Sequence, residues 1–447
     1  MKYLYLFTPQ YLVTLVYMLQ ASEYQLPKYF SWYWKTHDFA AVSVRRSLDF
    51  TAKAKLLVLS GLIFDALQLL LAIAIINAGF NNQELSHLIL GVGLILIIPV
   101  ITAHLMVVPL WIGTALIQRP KELSALAAGR RAFAEHQGVT IAVAGSYGKT
   151  TTKEVLKTIV GQNLKVAATE GNLNTPGALA KFGSSLDGDE DVVIVELGEF
   201  KPGDIAQYAD LVQPNSAVIT GLTEAHLDTL GNLETAAENL LSLAEYVPAK
   251  ALFINNDSSK LISFIEDVEH IAYGKSGGLG WETTDIKTSL DGTSFLISKG
   301  RTKIKAKSQL LGEHIVATLV LGVIMAKELK VGKKTIEKGL SQTKPFDHRL
   351  QIARNDEITI IDDTYNGNIE GVKAASAFVD SLEASRKIYV TPGLVEMGDK
   401  SEDINNELGR TVAPVFDLVV LMKNPNTDAI VDGLHAAGYS GKLNIVD

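Results

Sequence analysis

The apolar run Ile141-Ala142-Val143-Ala144 leads directly into Gly145-Ser146-Tyr147-Gly148-Lys149-Thr150-Thr151, and a helix-like segment follows over residues 152–160. Strand, glycine turn and helix in immediate succession constrain the fold more than any other stretch, because they demand an α/β layer with the turn at a strand end. Glycines let backbone N–H groups approach phosphate oxygens, and the helix N-terminus adds partial positive charge. Gly145, Ser146, Tyr147, Gly148, Lys149, Thr150 and Thr151 are therefore expected to cradle a nucleoside triphosphate. Lys149 would reach the β/γ-phosphates, and the Thr150 hydroxyl would face Mg2+. The loop is shorter than the general phosphate-loop pattern, whose first glycine position is Val143 here. ATP and Mg2+ are the expected cofactors.

A chain of 447 residues has room for two or three domains. Its net charge of -8 argues against a nucleic-acid partner. It has no cysteine, which excludes disulfides, thiolate zinc sites and a cysteine nucleophile. Apolar residues are unevenly distributed. Residues 56–76 are almost wholly apolar, and residues 88–117 are apolar with Pro99 and Pro109 inside. Each run is long enough to cross a bilayer. Arg45, Arg46, Lys53 and Lys55 precede the first run, Arg119, Lys121, Arg130 and Arg131 follow the second, and residues 77–87 carry no Lys or Arg. The positive-inside rule then places both flanks and the phosphate loop in the cytoplasm, in a multi-pass protein of the cell membrane with membrane lipid as a partner. Tyr3 to Leu19 is apolar but broken by Pro9 and Gln10, and Tyr29-Phe30-Ser31-Trp32-Tyr33-Trp34 is an aromatic cluster of the headgroup-depth type. Residues 1–50 read as interfacial or re-entrant helix, with a third span as the alternative. Asp65 and His104 lie at similar depth in the two runs, and a hydrogen bond between them is expected.

From about residue 136, strand-like and helix-like segments alternate. Val192-Val193-Ile194-Val195 reads as a buried strand ending in Glu196, and a carboxylate there can face the phosphate loop and Mg2+. Taken alone, His226 is as readily a surface or capping histidine. Asp362 and Asp363 could be strand-end carboxylates, and Arg349 one partner of a surface ion pair. Several segments together, however, resemble the Mur ligases, ATP-dependent enzymes that form amide bonds in peptidoglycan precursors. The resemblance rests on the phosphate loop, on Thr169-Glu170-Gly171-Asn172-Leu173-Asn174-Thr175, and on Val195-Glu196-Leu197-Gly198 with Lys201-Pro202-Gly203-Asp204-Ile205. It continues through Ala225-His226-Leu227-Asp228, His348-Arg349-Leu350, Ile361-Asp362-Asp363-Thr364-Tyr365-Asn366-Gly367-Asn368 and Pro392-Gly393-Leu394-Val395-Glu396-Met397-Gly398. These segments cover residues 136–447 in the family's order.

The resemblance implies carboxylate activation. A substrate carboxylate attacks the γ-phosphate of ATP, and the amine of a second substrate attacks the resulting acyl phosphate. It is nearest to the branch that adds D-alanyl-D-alanine to a muramoyl-tripeptide, so a UDP- or lipid-linked muramoyl-peptide and D-alanyl-D-alanine are the implied partners. By the same resemblance Lys149, Glu196, His226 and Arg349 are catalytic, and Thr150, Glu196 and His226 hold metal. Arg349, Asp363 and Asn366 join the loop in binding nucleotide.

The chain also departs from the family. The position of a carbamylated lysine that helps hold a second metal falls at or near Leu240. The family's His-Asn-x-x-Asn appears as His314-Ile315-Val316-Ala317-Thr318, without either asparagine. A UDP-binding N-terminal domain is not recognisable. The family pattern continues through a further helix and strand, which sets the expectation of a truncated chain. The expected architecture is α/β: a phosphate-loop central domain over 136–343 and a Rossmann-like domain over 344–447, with a boundary at Pro345. Before them come the segment 1–50, a transmembrane helical hairpin over 51–118 and a linker over 119–135. Two alternatives stay open: a ligase for a lipid-linked acceptor or another amino acid, and a membrane scaffold that holds nucleotide without turning it over.

Overall fold

The computed structural model describes residues 2–42, 48–225, 227–354, 357–365 and 367–446. Arg45, Arg46, His226 and Asn366, each named above, lie outside the described residues. The chain divides into two units, Met1–Ser124 and Ala125–Asp447.

The first unit is helical. Its long helices are Ala52–Asn82, of 31 residues, and Leu85–Leu105, of 21. At about 1.5 Å per residue, each reaches the roughly 30 Å of a bilayer core. Thr51 caps the first helix by accepting from Ala54 N–H at 3.2 Å. The connection is shorter than expected, because helix continues to Asn82. Gln83 then turns left-handed with φ 53°, and Glu84 N–H donates to Gly79 O at 2.9 Å. Ala72, Gly79 and Gly91 are buried between the helices, and a side chain at Gly91 would strike Ile76. Leu59, Leu67, Leu70, Leu90 and Leu96 are exposed. Small residues thus lie inside the hairpin and leucines outside it.

The expected Asp65–His104 hydrogen bond is not formed. Asp65 Oδ1 accepts from the Thr102 hydroxyl at 2.5 Å, and Gln68 Nε2 donates to that hydroxyl at 2.8 Å. His104 is two residues beyond Thr102, which turns it by about 200° around the helix. Its Nδ1 meets Val100 O at 2.7 Å, and its ring packs on Phe30, Tyr33 and Trp34. The aromatic cluster is thus partly internal. Tyr29 and Tyr33 are buried, and Tyr29 Oη donates to Ala103 O at 3.0 Å. The helix Pro9–Ala21 has only 13 residues, about 20 Å, too short for a third span. It packs Leu12 into the notch at Gly61.

Residues 119–135 are helical, as Arg119–Glu135, in a segment rich in Ala, Leu, Glu and Arg, all good helix formers. The second unit is built on a ten-stranded sheet. Val139–Ala144 lies between Val192–Glu196 and Ser216–Ile219, parallel to both. All five residues of Val192–Glu196 are buried, as expected of a strand covered on both faces. One layer packs Val155, Leu156 and Ile159 of the phosphate-loop helix with Leu319 and Val323 of the helix Ile315–Glu328. The opposite layer packs Leu179, Ile205, Tyr208 and Leu240. Beyond residue 344, Ile388–Thr391, Leu418–Met422 and Lys442–Val446 form a parallel sheet. Thr359–Asp362 does not join that sheet. It pairs antiparallel with Gln351–Arg354.

Candidate active site

The glycine loop sits at the C-terminal end of the buried strand Val139–Ala144. Gly145 and Gly148 take φ of 138° and 76°, values that disfavour any side chain. The next strand pins the loop. Ser146 N–H donates to Gly221 O at 2.9 Å, and the Thr220 hydroxyl donates to Tyr147 O. The Tyr147 ring occupies the space that a side chain at Gly221 would need. Helix Lys149–Val160 then begins directly behind the loop, and Lys149 Nζ folds back on Gly145 O at 2.5 Å.

Glu196 ends its strand 2% exposed. Its Oε1 accepts from Asn174 Nδ2 at 3.2 Å, while Oε2 has no hydrogen-bond partner. Lys153, one turn beyond Lys149, is fully buried. Its ammonium donates to Thr169 O at 2.7 Å and Gly171 O at 2.6 Å, and stands 3.7 Å from Glu196 Oε2. That one cation ties the phosphate-loop helix to the Thr169–Thr175 turn and to the strand-end carboxylate.

Glu199 is 1% exposed, and neither carboxylate oxygen has a hydrogen-bond partner. Burial pushes its carboxyl up. Lys149 and the Ser146 hydroxyl oppose that shift from nearby, yet neither reaches hydrogen-bond geometry. Ser146 Oγ is likewise buried and unpartnered.

Arg349 approaches from the other side. Its Nη2 donates to Thr150 Oγ1 at 3.2 Å, and its guanidinium stacks 4.4 Å from the Tyr365 ring centroid. His348 Nδ1 faces Asp362 Oδ2 at 2.7 Å. The Thr364 hydroxyl first, and His348 second, hold the Asp362 carboxyl below its usual range. Asp363 Oδ1 accepts from Leu350 N–H at 3.2 Å.

Two chambers result. The smaller, about 170 Å³, is lined by Ser146, Lys149, Thr150, Glu196, Glu199 and Arg349. The larger, about 690 Å³, is lined by Tyr147, Thr151, Asn255, His314, Phe346 and Asp363. Of the expected site residues, Ser146, Tyr147, Gly148, Lys149, Thr150, Glu196 and Arg349 line the smaller chamber and Thr151 and Asp363 the larger; Gly145 lines neither, and His226 and Asn366 lie outside the described residues. Their neighbours Ala225 and Tyr365 line the smaller chamber. His314 lies against the larger one, where it still meets solvent, and desolvation by the surrounding protein lowers its imidazole to about 4. Leu240 is fully buried in the apolar layer. Its neighbour Asn239 accepts from Gly203 N–H at 3.0 Å and so caps the helix Asp204–Val212. Nothing at that position faces the site as a ligand.

Lys153 and Glu199 are the site residues that motif reading missed. Lys153 carries a weak signal, a second lysine four residues after Lys149 on one helix face. Glu199 carries none, because its depth depends on how the chain leaves the strand.

Residues 143–326 match the Mur ligase middle domain, and residues 348–446 match the Mur ligase glutamate ligase domain. The UDP-N-acetylmuramoyl-tripeptide–D-alanyl-D-alanine ligase of Bacillus subtilis (strain 168) is 28% identical over 295 residues, which is 65% of this chain and 64% of that protein. The enzyme of the same name from Escherichia coli (strain K12) is 26% identical over 317 residues, covering 66% and 70% of the two chains. The chain thus spans a little under two thirds of the Bacillus subtilis relative. A crystal structure of MurF from Acinetobacter baumannii superposes with a TM-score of 0.66 at 25% identity, covering 72% of this chain and 71% of that one. MurF ligase from Thermotoga maritima, solved with ADP, shares the fold with a TM-score of 0.63 at 22% identity, covering 72% and 74%. With both ligase domains matched in order and the phosphate loop, strand-end glutamate and Arg349 converging on one chamber, the chain belongs to the Mur ligase family.

Proposed function

We propose that the chain is an ATP-dependent amide-bond ligase of peptidoglycan-precursor synthesis, adding D-alanyl-D-alanine to a muramoyl-tripeptide. The observation that carries this reading is the convergence of Lys149, Thr150, Glu196 and Arg349 on one small chamber. Loop N–H groups and Lys149 would hold the β/γ-phosphates, with Arg349 closing over them from the C-terminal domain. The substrate carboxylate attacks the γ-phosphorus, ADP leaves, and an acyl phosphate forms. The amine then attacks the acyl carbon, loses a proton and expels phosphate. The protein's work is positioning and charge neutralisation, and closure of the C-terminal domain over the chamber would shield the acyl phosphate from water.

Thr150 Oγ1 and the unpartnered Glu196 Oε2 fit the all-oxygen donor set of Mg2+, and they would hold that ion. When bound, it would neutralise phosphate charge. His226 is assigned as a further ligand, and Asp363 and Asn366 as nucleotide contacts, by resemblance.

We further propose the domain limits 136–343 and 344–447, with residues 51–118 as a two-span membrane anchor. The outward-facing leucines and the small residues Ala72, Gly79 and Gly91 buried between the helices support the anchor. Basic flanks on both sides of the hairpin support a cytoplasmic ligase. The same hairpin favours a second reading, in which the muramoyl acceptor is lipid-linked rather than UDP-linked.

The test uses full-length protein in detergent with ATP, Mg2+, D-alanyl-D-alanine, and either a UDP-linked or a polyprenyl-linked tripeptide. Phosphate release that needs both substrates, with a product of the expected mass, is the predicted result. Release independent of D-alanyl-D-alanine would overturn the substrate, and none with either acceptor would overturn the ligase reading.

A further inference from the structure

We propose that Glu199 is a direct ligand of the divalent cation that binds with nucleotide at the phosphate loop, making this a two-carboxylate site. The inference rests on the nucleotide-binding part of the reading above. A carboxylate stripped of water needs a cation or several hydrogen-bond donors. Glu199 is 1% exposed, and among the described residues neither of its oxygens has a hydrogen-bond partner; the Lys149 charge and the Ser146 hydroxyl lie nearby without bonding it. The nearby ammonium groups are committed elsewhere. Lys149 Nζ donates to Gly145 O, and Lys153 Nζ donates to Thr169 O and Gly171 O while facing Glu196.

The backbone explains how a second carboxylate arrives there. Leu197 N–H still bonds Val143 O at 2.9 Å, extending the strand by one residue, and Gly198 N–H then bonds Asn174 O at 3.2 Å. Residue 199 then lies in the lining of the chamber beside Glu196. Glu199 Oε1 and Oε2, Glu196 Oε2 and Ser146 Oγ are all buried with no hydrogen-bond partner among the described residues, and their residues line the same 170 Å³ chamber with Thr150. Hard oxygens from two carboxylates and hydroxyls, in a chamber of this size, are the donor set of Mg2+ or Mn2+ completed by phosphate oxygens.

The test compares full-length wild type, Glu199→Gln and the exposed control Glu402→Gln in detergent. Mn2+ affinity with ADP present is read from the free-ion electron paramagnetic resonance signal. Melting temperature is read in EDTA, then with Mn2+ and ADP. Glu199→Gln is expected to weaken Mn2+ roughly tenfold or more, to melt no lower than wild type in EDTA, and to gain less from Mn2+ and ADP. Unchanged Mn2+ affinity would overturn the proposal. So would a lower melting temperature in EDTA, the mark of a carboxylate that serves structure by pairing with Lys149. If wild type shows no ligase turnover while Mn2+ affinity still depends on Glu199, the ligase reading fails and the cation ligand stands.

Discussion

Arg349 Nη2 donates to Thr150 Oγ1 at 3.2 Å, across 199 residues of sequence. The contact joins the phosphate loop to the first segment of the C-terminal domain, and stacking on Tyr365 holds the guanidinium in place. A planar, permanently charged fork suits this position, and a lysine would not reproduce it. Arg349→Lys is expected to lower kcat by about 100-fold or more with a smaller change in the KM for ATP, as for an arginine that acts on transferring phosphate. Steady-state phosphate release checks this, and an unchanged kcat would remove Arg349 from the chemistry.

Lys153 should matter for stability as much as for catalysis. It is a fully buried cation with two carbonyl acceptors and Glu196 within 3.7 Å. Lys153→Met strands the Glu196 carboxylate and two carbonyls. A loss of about 3 kcal/mol is expected, measured as denaturant stability against wild type. A variant as stable as wild type would show that the ammonium is not the tie between helix, turn and strand.

His314 makes stability fall with acid. Desolvation by the surrounding protein lowers its imidazole to about 4, below the usual value near 6.5, although the side chain still meets solvent in the chamber. Between those values the unfolded chain binds the extra proton and the folded chain does not. Stability is therefore fully present above about pH 6.5 and declines as pH falls toward about 4, by an amount that solvent screening keeps well below the full shift. His314→Leu should flatten that part of the melting-temperature profile between pH 7 and pH 4.5. An identical slope in the variant would assign the acid sensitivity elsewhere.

In the helical unit, Thr102→Val leaves Asp65 without its hydroxyl donor and Gln68 Nε2 with only the Phe64 carbonyl as acceptor. A cost of about 1–3 kcal/mol is expected. Adding Asp65→Asn should recover part of it, since the amide can be neutral where the carboxylate could not. Melting of the detergent-solubilised protein tests the pair, and strictly additive effects would show that the two residues do not interact.

The phosphate loop was legible because everything that makes it is local: an apolar strand, two glycines at positive φ and Lys-Thr at the helix start. Glu196 was legible for a related reason, since it directly ends an apolar run. Glu199 was not, because its burial depends on the Gly198–Asn174 contact, which no local pattern encodes. The Asp65 partner failed differently. Equal depth suggested His104, but rotation around the helix selects Thr102. Asp362 and Asp363 were legible as strand-end carboxylates, and Asp362 does end the strand Thr359–Asp362; that the strand pairs with Gln351–Arg354 was not, because strand propensity cannot choose between partners.

Tyr147, Gly148, Arg349 and Asn368 belong to the walls of both chambers, so the two spaces are neighbours. A single molecule with an anionic head for the smaller space and a flat body for the larger would lose its translational freedom only once while collecting the contacts of both. Such a linked compound should bind more tightly than the product of its halves suggests, and the best linker would be just long enough to pass from one space to the other.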